Sequence, residues 1–165
     1  MAILKPLALG VVLTLAVPFC SFANGDPVIT NEAIARASVL DISREQAIGF
    51  ATQFAECAGF LQAGEDFERS EGRPAQADVN ADLVTTYHTA AILIWSKYGT
   101  SFTQIKAIKK DSAKAFSAAY PLAFNSLDDT AQESLREKLA ECREIAKLAG
   151  AISGFAIDPE ETEWK

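Results

Sequence analysis

Two cysteines, each set in the apolar stripe of an amphipathic segment, constrain this chain more than anything else in it. In EQAIGFATQFAECAGFLQAG, residues 45–64, Phe50, Phe54, Cys57 and Leu61 recur at spacings of four, three and four and so share one face of a helix. Leu135, Leu139, Cys142, Ala146 and Ala149 repeat the pattern later in the chain. We expect the two helices to pack on each other through a Cys57–Cys142 disulfide. It would close a loop of about 85 residues, for which the chain-entropy model gives up to roughly 4–5 kcal/mol.

The redox context comes from the first residues, MAILKPLALGVVLTLAVPFCSFANGD. Lys5 supplies a basic start, Leu7 to Val17 an apolar run, and Ser21-Phe22-Ala23 the small residues that a signal peptidase reads. The run is too short for a span of about 20 apolar residues. Residues 1–23 therefore read as a cleaved signal peptide and residues 24–165 as one domain. Acylation of Cys20 is disfavoured by Phe19, which stands where the lipoprotein peptidase needs a small residue. Cleavage after Ala23 discards Cys20 and leaves two cysteines, the even number that a disulfide requires in an oxidising compartment.

Removing residues 1–23 leaves 142 of the 165 residues, long enough for a core of its own. Loss of Lys5 leaves 14 basic residues against 22 acidic ones, a net charge of −8. That balance disfavours nucleic acid and anionic membrane surfaces as partners. No later segment is apolar enough to span a bilayer: the best, Leu83 to Tyr98, carries Thr85, Thr86, His88, Thr89, Ser96 and Lys97.

Asn31 can cap a short helix through Val39, and Ser43 with Gln46 forms a capping box for the first long helix. That helix is expected to stop at Gly64, with a polar loop from Glu65 to Asp78. A second helix, about Ala75 to Tyr98, carries Val79, Leu83, Tyr87, Ala90, Ile94 and Tyr98 in one row, and its AAILIW half should be the most buried part. A third, capped by Thr100 or Ser101, places Phe102, Ile105, Ile108, Ala113, Phe116 and Tyr120 inward before Pro121 ends or kinks it. A fourth runs from about Thr130 to Ala149 and stops at Gly150, with Ile152, Phe155 and Ile157 in the tail. No strand alternation interrupts this pattern. The fold class is all-α: a four-helix up-down-up-down bundle with a short extra N-terminal helix, after the signal peptide. In a square bundle the first and fourth helices are neighbours, as the disulfide requires.

Little in the sequence carries catalytic chemistry. His88 is the only histidine, and on a mostly apolar helix it is more often a hydrogen-bonded boundary residue than a general base. Metal sites lack ligands: there is no E-x-x-H pair, and the loop acids lack the spacing of a calcium loop. No cofactor is expected. Lys106, Lys110 and Lys114, with Lys109 beside them, read as an anion or partner site or, more simply, as a solvated face near Glu133, Glu137, Glu141 and Glu144. The many aromatic residues are either core or the lining of an apolar cavity.

These observations favour an exported protein, periplasmic in a bacterium or else extracellular, that is not an enzyme. It would act by binding another envelope protein, as an inhibitor, an immunity-type protein or an accessory subunit. The partner-binding candidates are Glu65, Asp66, Glu68 and Glu71, whose charges would enter a basic cleft. One alternative is a carrier of a small apolar ligand in the bundle core; a lower one is an enzyme using His88 or a carboxylate pair.

Overall fold

The capping box at Ser43 forms as its sequence predicts. The Gln46 backbone N–H donates to Ser43 Oγ at 3.2 Å, and the Ser43 N–H donates back to Gln46 Oε1 at 2.9 Å. From there the computed structural model describes residues 42–98 and 102–155, all helix and turn. The elements are α1 (Arg44–Ser70), α2 (Pro74–Lys97), α3 (Phe102–Ser117), a short α4 (Ala119–Asn125) and α5 (Asp129–Ser153). The four long helices form the expected all-α bundle. The expected signal peptide and short N-terminal helix, the third-helix cap and the tail beyond Phe155 lie outside the described residues.

Helix α1 does not stop at Gly64. It continues to Ser70, so Glu65, Asp66 and Glu68 are helical and the connection to α2 shrinks to Glu71, Gly72 and Arg73. Gly72 supplies the left-handed residue (φ 72°) that ends the helix. The Gly72 N–H returns to the Arg69 carbonyl at 3.2 Å and the Arg73 N–H to the Glu68 carbonyl at 2.9 Å, closing a Schellman motif. Pro74 opens α2 at the position where a missing N–H costs nothing. At the other end of the hairpin the Tyr98 hydroxyl donates to the Ile42 carbonyl at 2.9 Å, which fixes α1 and α2 as antiparallel.

This hairpin is the centre of the molecule. Ala47, Ala51, Ala55 and Ala58 are fully buried on α1 and let α2 approach closely, while Phe54, Leu61 and Tyr87 fill the volume between them. Every residue of α2 from Thr86 to Trp95 is buried, so α2 is the most enclosed helix, as expected. Each large apolar side chain removed from water here contributes about 1.5–3 kcal/mol. Val79 and Phe102, both expected to point inward, are exposed.

Helices α3 and α5 both pack on the hairpin, α3 chiefly on α1 and α5 chiefly on α2. The arrangement departs from an up-down-up-down square, in which α1 and α3 would lie on a diagonal, because α3 packs directly on α1. Gly59 lies in the α1–α3 contact: a Cβ there would stand 2.2 Å from the Lys109 carbonyl oxygen and 2.6 Å from Ser112 Cβ, so only glycine allows the two backbones this close. Ser112, buried in the contact, donates to the Glu56 carbonyl at 2.7 Å.

The Cys57–Cys142 disulfide is present and ties α5 to α1 (Cα–Cα 5.6 Å). Lys138 adds a polar link between the same helices, donating to Glu56 Oε2 and Glu141 Oε2 at 2.9 Å each. Pro121 cannot donate to the Ser117 carbonyl four residues back, and the helix duly breaks there: α3 ends at Ser117 and α4 starts anew at Ala119. Helix α5 opens one residue earlier than expected, with the Asp128 side chain accepting the Ala131 N–H at 2.7 Å. It runs past Gly150 to stop at Gly154 (φ 82°).

Candidate functional site

The end of the bundle where α1 turns into α2 carries the most distinctive surface. Here α4 lies across the end of α1, held by an aromatic stack. Tyr120 and Phe124 sit with centroids 6.2 Å apart and planes within 9°, and both stack on Phe67, at 5.8 and 5.5 Å. Phe60 extends the stack inward to Tyr120 at 5.7 Å and to Phe116, edge-on, at 5.1 Å. The Arg73 guanidinium covers the Phe67 ring at 5.3 Å.

The outer side of this stack is unusually apolar for a surface. Leu122 and Phe124 are about half exposed (48% and 50%), and Leu127 is 71% exposed. Leu127 is also the only non-glycine residue with positive φ (54°) among the described residues, a conformation that costs an L-residue roughly 1–2 kcal/mol. The turn is fixed on both sides of it. The Asp128 N–H donates to the Leu122 carbonyl at 3.1 Å, and Gln132 Nε2 reaches the Ala123 carbonyl at 3.1 Å. Three large apolar side chains are thus held at one end by an ordered turn. Glu71, which accepts from Asn125 Nδ2 at 3.5 Å, and the exposed Asp128 and Asp129 rim them with negative charge.

The four acidic candidates do not form a loop. Glu68 is buried and paired with Arg73. Glu65 accepts from Arg69 Nε at 3.0 Å and from Gln62 Nε2 at 2.9 Å. Asp66 is exposed and accepts from Gln62 Nε2 at 3.2 Å. Glu71 alone stands beside α4. Two of the four are therefore bound up in holding the α1–α2 corner, and two are open to solvent.

His88 is buried on α2, facing α3 rather than the disulfide side. With Gln62, Lys106, Lys109, Lys110 and Ala113 it lines an open cleft of about 350 Å³. The lysines were expected near the acids of α5, but α3 packs chiefly on α1 and α5 chiefly on α2. Most of the aromatic residues considered as a cavity lining face one another instead: Phe50 meets Phe54 at 6.2 Å and Phe54 meets Tyr87 at 6.2 Å, apart from the α4 stack. Among the described residues no three His, Cys, Asp or Glu side chains converge on a metal position, and no helix is long and apolar enough to cross a membrane.

Sequence reasoning missed Leu122, Phe124 and Leu127 because they fall between the expected third and fourth helices, outside either inward row. The available signal was three large apolar residues in PLAFNSLDD with no place in a helical core stripe. Comparison of the chain with models of protein families, with curated proteins and with solved structures returns no match, so the reading of this surface rests on its own geometry.

Proposed function

We propose that the chain is an exported, disulfide-tied binding domain, non-catalytic, that docks another protein through the α4 end. The observation that carries this reading is Leu127, 71% exposed and held in a conformation that leucine disfavours. Strain of this kind persists where the surroundings fix it, and such positions cluster at functional sites. An apolar centre with a charged rim is the anatomy of a protein interface. The rim of Glu71, Asp128 and Asp129 favours a partner with an apolar socket bordered by basic residues. In this reading Leu127 and Phe124 are the anchors, and the acids set orientation and on-rate.

Export is part of the proposal. The leader-like first residues support it, as does the disulfide, which belongs to an oxidising compartment. An inhibitor, an immunity-type protein and an accessory subunit would all use such a surface.

The test is site-specific photocrosslinking in the cells that make the protein. A photoreactive residue at position 127 or 122 should trap one protein in stoichiometric yield, and one at Ala140, exposed on α5, should not. Equal yields from all three positions, or none above background at 127, would overturn the assignment.

A further inference from the structure

Arg73, in the connection between α1 and α2, is a cation set among the acids of the α4 end. Two contacts fix its guanidinium. The Nε–H donates to the buried carboxylate of Glu68, and Cζ lies over the Phe67 ring, 5.3 Å from its centroid. The side chain is nonetheless about half exposed. Only the Nε–H is engaged; the Nη1 and Nη2 donors make no hydrogen bond among the described residues. The same Phe67 ring carries Phe124 of α4 at 5.5 Å, itself half exposed. A donor fork and an apolar anchor are therefore mounted on one buried ring, and neither has to be ordered when something binds.

The local charge selects the acceptor for that fork. Glu68 already neutralises Arg73, and Glu71 lies near enough to act on the same guanidinium through space. Glu71, Asp128 and Asp129 leave this surface negative, so a carboxylate on a partner would bring like charge to like charge. A backbone carbonyl oxygen carries no net charge and accepts from the same donors. Carbonyls without partners occur together at the last turn of an α-helix, whose final C=O groups have no acceptor role within it. That end of a helix also favours Lys or Arg side chains, the charges that Glu71, Asp128 and Asp129 would meet.

We infer that the partner presents the C-terminal end of an amphipathic helix to the α4 surface. The inference rests on the docking role proposed above and assigns its contacts. The final carbonyls of the partner helix accept from Arg73 Nη1 and Nη2. Apolar side chains of its last turns meet Leu122, Phe124 and Leu127, and its terminal basic residues face Glu71, Asp128 and Asp129. Arg73 is then a specificity-determining residue, through the shape of its fork more than through its charge. Lysine, a mobile point charge, does not replace it.

The test extends the photocrosslinking at position 127. Arg73→Lys, and separately Glu68→Gln combined with Arg73→Gln, would be built into the full chain carrying the photoreactive residue. The first keeps the charge beside Glu68, and the second leaves no buried charge unpaired. Each should lower the yield of the trapped protein at least tenfold at an unchanged thermal midpoint, while Lys147→Gln, exposed on α5, changes it less than twofold. Mass spectrometry of the crosslinked peptide should place the trapped residue in the C-terminal turns of a helix of the partner. Capture that persists undiminished in both Arg73 variants would overturn this inference and leave the α4 surface standing. A trapped residue in a strand, or at the start of a helix, would do the same. No capture at position 127 in the chain with Arg73 intact would overturn both.

Discussion

The Tyr87 hydroxyl, at the middle of α2, donates to the backbone carbonyl of Cys142, 2.6 Å away and fully buried. One side chain therefore fastens the central hairpin to the helix that the disulfide also holds. Tyr87→Phe keeps the ring and removes only this bond. We expect it to cost about 1–1.5 kcal/mol, measured as a lower urea midpoint at unchanged m-value.

The same burial sets an alkaline limit on stability. Desolvation pushes the phenols of Tyr87 and Tyr120 well above their ordinary range, with Glu68 adding to the effect at Tyr120. Both stay protonated in the folded protein at a pH where the unfolded chain has lost those protons. Stability should be level below about pH 10 and fall above it, by about 1.4 kcal/mol per pH unit for each tyrosine. Urea melts between pH 8 and 11 would show it, and Tyr87→Phe should roughly halve the slope.

Cys57 and Cys142 are almost wholly inaccessible (1% and 0% exposed), so reductant alone should act slowly on the native protein and rapidly once urea opens it. A Cys57→Ala, Cys142→Ala chain should lose up to roughly 4–5 kcal/mol, reduced to the extent that its unfolded state stays compact. The intact mass of the purified protein, two hydrogens below the reduced value, checks the bridge itself.

Two glycines of α1 should respond in opposite directions. Gly59→Ala sets a methyl against the Lys109 carbonyl and the Ser112 side chain, so α3 must move outward and the Ser112–Glu56 bond stretches; a loss of 1–3 kcal/mol is expected, on the order typical of overpacking. Gly49→Ala meets nothing within 4 Å on an exposed helical turn and should gain about 0.5–1 kcal/mol. Thermal melts of the pair read both.

Leu127→Gly separates stability from binding. Glycine takes the positive φ at little cost, so the thermal midpoint should rise, by an amount corresponding to about 1 kcal/mol. If the α4 end is the docking surface, the same change should reduce partner capture at least tenfold. A variant more stable and equally well bound would count against that surface.

Much of the architecture was legible because it rests on periodicity: the helix faces, the Ser43 capping box and the cysteine pairing all follow from spacing along one chain. What misled the reading was glycine. Gly64 lies inside a helix because a Cβ would come within 2.7 Å of the Tyr120 hydroxyl, 56 residues further on, and Gly150 is likewise buried inside α5. The true stops are Gly72 and Gly154. Close approach and helix termination select the same residue, and only the neighbour in space distinguishes them. That error created an acidic loop from what is a helical corner. The α4 surface was obscured for a different reason: its apolar residues lie between helix stripes, and only the packing shows that no described residue covers them.

The placement of the disulfide also has a consequence for timing. Once α1, α2 and α5 have closed, the two sulfurs are out of reach of any enzyme or small molecule that could join them. Oxidation must then happen while the chain is still open. Maturation would therefore depend on the oxidants present while the chain folds, and chain that closes first would persist as a thiol form that no later oxidant can correct.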